Sequence, residues 1–150
     1  MWRLRAPLRR ADAERGSAAL FVAIFAPAMI FMAGLVIDGG SALEARQRAS
    51  DTAEQAARAA VQECDEALLR SLSECRITDL GRARRAAAGY IGPGIDAWRL
   101  DPIEAAPGGG YYGVRVTITI TFQTTLIGIV PAFQTITLTQ AADAVAVTGL

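Results

Sequence analysis

The chain opens on a polar, arginine-rich stretch and then turns apolar without interruption. From Ser17 to Ile37 runs SAALFVAIFAPAMIFMAGLVI, 21 residues with no charged side chain. As a helix rising about 1.5 Å per residue, this stretch reaches roughly 30 Å, the hydrocarbon thickness of a bilayer. It predicts a membrane-spanning helix. The competing reading is a buried core helix, in which apolar runs seldom pass about 14 residues. Pro27 lies inside the run, where a membrane helix would kink rather than end.

Beyond Ile37 the pattern changes. Gly39 and Gly40 are expected to loosen the helix, and Ser41-x-x-Glu44 reads as a capping box that starts it again. From Ser41 to about Leu69 Ala and Arg dominate, with acids at Glu44, Asp51, Glu54, Glu63 and Glu66. Ala42, Ala45, Ala49, Ala53, Ala56, Ala60 and Ala67 recur at helical spacings, giving a narrow small-residue stripe. Such a stripe serves two ends: packing against sister helices, or packing on the chain's own sheet. Thr78-Asp79 offers an N-cap for a later helix through Tyr90, which Gly92-Pro93-Gly94 terminates.

The last third alternates with period two. Val114, Val116, Ile118, Ile120 and Phe122 interleave with Arg115, Thr117, Thr119, Thr121 and Gln123, predicting a half-buried strand. A shorter strand at 97–105 would reach it through the turn Pro107-Gly108-Gly109-Gly110, and Pro102 marks that strand as an edge. Phe133 to Gln140 predicts another strand, continued from Ala141 to Thr148 past a bulge or turn. The expectation is an α+β chain: one N-terminal transmembrane helix continuing into an Ala-rich helix, a helical hairpin, then a small antiparallel sheet. Its outer face is Thr-covered, as ordinary solvated sheet surfaces are.

Charge orients this plan. The 150 residues carry 15 basic and 15 acidic groups. Every base is Arg; Lys and His are absent. Residues 1–16 hold five Arg against Asp12 and Glu14, a net of +3, while residues 38–150 sum to −3. The positive-inside rule places a basic leader (1–16) in the cytoplasm, the span (17–37) in the membrane and an extracytoplasmic domain (38–150) outside. A cleaved secretory signal is the alternative for the N-terminus. Its apolar core is normally about 7 to 15 residues, and Ser41-Ala42-Leu43 is a poor exit site.

Composition also bounds the chemistry. Without His there is no Ser-His-Asp triad, Cys-His pair or imidazole metal ligand. Without Lys there is no phosphate-binding Walker lysine or Schiff base. Asp96 with Asp101, and Glu63 with Asp65 and Glu66, are carboxylate groups without a base or ligand spacing, and read as solvated charge. The glycines at 108–110 lack the strand-to-helix context of a phosphate loop. No enzyme activity, cofactor, metal or nucleic-acid contact is expected. Trp98, Tyr111 and Tyr112 read equally as a contact patch or as cover for a sheet edge. Cys64 and Cys75 imply a disulfide in an oxidising compartment, with two buried thiols as the alternative. On one unbroken helix they would stand about 16 Å apart, so a bridge requires the helix to turn between them, and Ser71-Leu72-Ser73 offers the break.

Several of these segments together resemble a known family. Glu14-Arg15-Gly16-Ser17-Ala18-Ala19-Leu20-Phe21, then Ala26-Pro27, then Val36-Ile37-Asp38-Gly39-Gly40 resemble the start of Tad/Flp pilus-assembly proteins of the TadE/TadG type. The stretch from Arg46 to Ala60, with Ala49-Ser50-Asp51 and Ala53 at its centre, resembles that family's Asp- and Ala-rich segment. The resemblance covers about residues 14–62. It implies a pilin-like accessory subunit, possible cleavage of a leader between Gly16 and Ser17 by prepilin peptidase, a membrane-exit motif at Asp38, Gly39 and Gly40, and partners among the bilayer and other pilus subunits. One position departs from the pilin pattern. The fifth residue after the junction, often Glu in pilin-like chains, is Phe21, which suits an accessory rather than a polymerising role. A secreted or anchored envelope domain unrelated to pili is the alternative from a different class.

Overall fold

A computed structural model describes residues 10–126, 128 and 134–146, with backbone alone for 10–15. Most of the leader (1–9), the expected strand start at Phe133 and the expected strand end at Thr148 lie outside the described residues. In chain order the elements are α1 (Arg10–Val61), α2 (Glu66–Leu72), α3 (Leu80–Ala88), β1 (Ala97–Ala105), β2 (Tyr111–Gln123) and β3 (Thr135–Val145). The architecture is α+β, with a three-stranded antiparallel sheet in the order β1-β2-β3.

Helix α1 is 52 residues long, about 78 Å at 1.5 Å per residue, and continues through Pro27. It also continues through Gly39, Gly40 and Ser41, so the expected restart is not there. Ser41 does not cap: its hydroxyl donates backward to the Ile37 carbonyl at 3.1 Å, the local bond a mid-helix serine makes. Glu44 pairs with Arg48 at 3.3 Å instead of closing a capping box. Two helical glycines cost about 2 kcal/mol against alanine, too little to break a helix extended on both sides by apolar and Ala-rich sequence.

The helix stops earlier than its composition suggests. It ends at Val61, before the stretch to Leu69 is complete, because the residues after it find other partners. The Asp65 N–H donates to the Arg76 carbonyl at 2.9 Å, and its carboxylate caps α2 through the N–H groups of Ala67 (2.9 Å) and Leu68 (3.3 Å). Asp79 caps α3 as expected, accepting from Gly81 and Arg82. The pair of helices after α1 therefore forms around the segment Glu74–Ile77. There Ile77 and Tyr111 exchange backbone hydrogen bonds of 2.9 and 3.0 Å.

The sheet follows the alternation closely. Val114, Val116 and Ile118 are fully buried, Ile120 nearly so, and the Thr faces out. Thr119 and Thr121 face Thr139 and Thr137 across the ladder at 3.4 Å. β1 spans the expected nine residues and is an edge strand, as Pro102 requires. β3 differs from expectation: from Thr135 to Val145 it pairs with β2 in one unbroken register, Gln123↔Thr135 to Gly113↔Val145. No bulge intervenes near Ala141, because Leu138, Ala142 and Ala144 keep the same parity and pack on one core. The Pro107–Gly110 turn carries positive φ at Gly108, Gly109 and Gly110, and a Cβ on Gly110 would come within 3.0 Å of the Ile77 carbonyl oxygen.

The core answers the question left by the Ala stripe. Ala45, Ala49, Ala53, Ala56, Ala57 and Ala60 are buried in one cluster with Val114, Val116, Ile118 and Ile120. The stripe therefore packs on the chain's own sheet. Ala67 falls outside it, exposed on α2.

Candidate functional site

Among the described residues, the N-terminal part of α1 presents a large apolar surface that the rest of the chain scarcely covers. Leu20, Phe21, Ile24, Phe25, Met29, Ile30, Phe31, Met32, Leu35, Val36 and Ile37 are all at least 50% exposed. This helix is long and apolar enough to cross a membrane, consistent with a single-pass anchor. Phe21, at the position where a pilin-type carboxylate is often found, stacks on Phe25 with ring centroids 4.1 Å apart. Gly16 and Ser17 lie within α1, exposed, with open space around Gly16.

The exit motif divides in two. Gly39 and Gly40 face open space, whereas Asp38 is buried, with 4% of its surface exposed. Its Oδ1 accepts from the Thr125 N–H and its Oδ2 from the Leu126 N–H, both at 2.9 Å. Leu126 in turn sits on Gly34: a methyl group at position 34 would lie 2.9 Å from Leu126 Cβ. This clasp joins the end of the apolar helix to the turn after β2. Sequence reasoning marked Asp38 as a boundary but missed its partners, which lie 87 and 88 residues away. The available signal was an acid directly abutting an apolar run, a costly position without hydrogen bonds.

At the other end of α1, Cys64 and Cys75 form a disulfide with Cα atoms 5.1 Å apart. Of the family-like positions, Ala49 and Ala53 are buried against the sheet, while Ser50 is half-buried and Asp51 exposed. The acids suspected near Cys64 all have structural partners. Glu63 pairs with Arg82 at 3.0 Å, Glu66 with Arg70 at 2.7 Å, and Asp65 caps α2 while accepting from the Thr78 hydroxyl at 3.1 Å. Asp101 pairs with Arg99 at 3.1 Å. Among the described residues no group of three or more His, Cys, Asp or Glu is placed to hold a metal. Trp98 lies under Arg84 at 5.2 Å and Tyr112 under Arg76 at 5.8 Å, so each ring is engaged with a guanidinium at the sheet margin.

Two carboxylates are tuned by these contacts. The N–H groups of Leu68 and then Ala67, with the Thr78 hydroxyl, hold Asp65 below its ordinary 3.8. The Arg115 guanidinium, bonded at 2.6 Å through both nitrogens, does the same to Asp143. A depressed carboxylate stabilises the fold above its unfolded pKa and loses that contribution as pH falls through its folded pKa. Melting of the full chain in nanodiscs should therefore weaken as pH drops below about 4. Asp65→Asn, which keeps an acceptor for the cap, should flatten part of that slope; an unchanged acid profile would contradict the assignment.

Residues 16–63 match the family model described as putative Flp pilus-assembly TadE/G-like. No curated protein and no solved structure matches the chain. The matched segment begins at Gly16, includes Asp38 and the whole buried Ala stripe, and ends one residue before Cys64. It covers α1 from Gly16 to Val61 and the two residues after it, and the sheet lies outside it. The match supports a role related to pilus assembly.

Proposed function

We propose, taking the match of residues 16–63 to the Flp pilus-assembly family as premise, that this chain is a membrane-anchored accessory subunit of a Flp-type pilus or secretion apparatus. It acts in the manner of a minor pilin or pseudopilin, by helix packing and protein contacts, and performs no catalysis of its own. The observation that carries the reading is that the matched segment takes in most of the long helix, whose apolar half is, among the described residues, almost wholly exposed. Because the Ala stripe is taken up by the chain's own sheet, contacts with sister helices fall to residues 17–37. Phe21, lacking the carboxylate that pairs with a neighbouring amino terminus in pilin-type packing, favours the accessory role.

Orientation follows from charge and redox chemistry together. The +3 leader favours the cytoplasm. The Cys64–Cys75 bridge favours an oxidising compartment for everything after the span. The N-terminus then lies on the cytoplasmic side of the inner membrane and the head on the opposite side.

Deletion of the gene in its native host should abolish or strongly reduce pilus assembly, with rescue by the full chain. Photo-crosslinkers at Leu20, Ile24 and Phe31 should capture other pilus-assembly subunits. Unchanged piliation on deletion would sink the proposal and favour an envelope domain unrelated to pili. Processing is read separately by coexpression with prepilin peptidase. A product beginning at Ser17 adds that enzyme to the partners; one that retains residues 1–16 removes it.

A further inference from the structure

The β2–β3 hairpin stands on end along α1. Ala45 and Ala49 line one groove with Ile120 and Phe122, and Val61 lines another with Ala144 and Ala146. β2 therefore runs back toward the apolar end of the helix and β3 runs away from it. The end of β2 arrives where the apolar run ends. Leu126 seats on Gly34, three residues before Ile37 and so about 4.5 Å inside the run along the helix axis.

Charge along the hairpin is as lopsided as its position. Arg115 and Asp143 pair with each other at the far end, and no charged residue occurs between them in sequence. The described residues nearest the apolar helix are Thr, Gln, Ile, Phe, Leu and Gly. An uncharged strand end beside a lipid-exposed helix suits an interface between water and hydrocarbon. At such depth, exposed backbone N–H groups are costly unless something accepts from them. Asp38 accepts from two of them at once, with one carboxylate oxygen each.

We propose that the stretch Thr124–Leu126, directly after β2, is a foot that rests on the lipid surface, with Leu126 entering the apolar layer beside Gly34. Asp38 is the positioning residue that clamps the foot to the helix. The partner is the bilayer, because the foot is continuous with the span itself. The head then has two attachments to the membrane, the helix and the foot, and cannot swing freely about the helix end. The inference rests on residues 17–37 crossing the bilayer.

The test uses the full chain in nanodiscs containing a lipid with a diazirine in the upper acyl chain. Photolysis followed by peptide fragmentation maps the adducts. Adducts are expected in residues 17–37 and again at 124–126, with none on the Thr face at 137–139 or on β1. Asp38→Ala should lose the adducts at 124–126 while keeping those in the span. Gly34→Leu, which fills the seat but leaves the carboxylate, should lose them too, so the outcome does not hang on one variant folding. Adducts in the span with none at 124–126 would overturn the foot and leave the anchor standing. A chain unlabelled in 17–37 would overturn the anchoring on which it rests.

Discussion

Replacing Cys64 and Cys75 together by serine is expected to lower the stability of the head by about 3 kcal/mol. The bridge closes a loop of sequence separation 11, and for loops of this size the chain-entropy account gives about 2.5 to 3 kcal/mol. The location adds to the effect. Cys64 follows the end of α1, and Cys75 is buried in the segment that meets β2 through the Ile77–Tyr111 pair. The bridge is thus a covalent tie between helix end and sheet, reinforced by the Asp65 N–H to Arg76 carbonyl bond. Without it α2 has little to hold it, since none of its residues is buried. The measurement is urea unfolding of the full chain in detergent, followed by tryptophan fluorescence. The double variant and the reduced wild-type chain should shift alike, by roughly 10 °C or more in a parallel thermal scan. A shift corresponding to less than about 1 kcal/mol would mean that the unfolded chain is already compact here.

What was legible in the sequence was what depends on periodicity or on neighbours in the chain. The apolar run announced a span by length alone. The alternation from Val114 to Phe122 announced a half-buried strand, and Thr78-Asp79 announced a helix start, because an N-cap acts within three residues. The misread elements were those in which local signals compete. Ser41-x-x-Glu44 has the spacing of a capping box, but the same serine can donate to the carbonyl four residues back, and a helix already running through Gly40 decides for that. The end of α1 at Val61 is likewise set from a distance, by Cys75 and Arg76. The Asp38 clasp is the extreme case. Its partners are backbone N–H groups, which every residue but proline carries, so no residue type near Thr125 could have pointed back to Asp38.

The Ala stripe shows how periodicity can identify a face without identifying what covers it, and it yields the second large effect. Ile118→Ala should cost about 4 kcal/mol. Ile118 is fully buried at the centre of the sheet, and truncations of this kind leave a cavity that rigid neighbours do not fill. The complementary change, Ala53→Leu, should cost about 1 to 3 kcal/mol by overpacking, since Ala53 is also fully buried and the helix can approach the sheet only through small side chains. Ala67→Leu, on exposed α2, should leave stability within about 0.5 kcal/mol. Denaturant unfolding of the three variants separates the two uses of the stripe. If small residues at 45–60 served contact with sister helices, Ala53→Leu would leave the isolated chain as stable as wild type and weaken only its assembly. The burial of Ala53 beneath the strands requires the opposite order, with the isolated chain losing stability first and any assembly defect following from it.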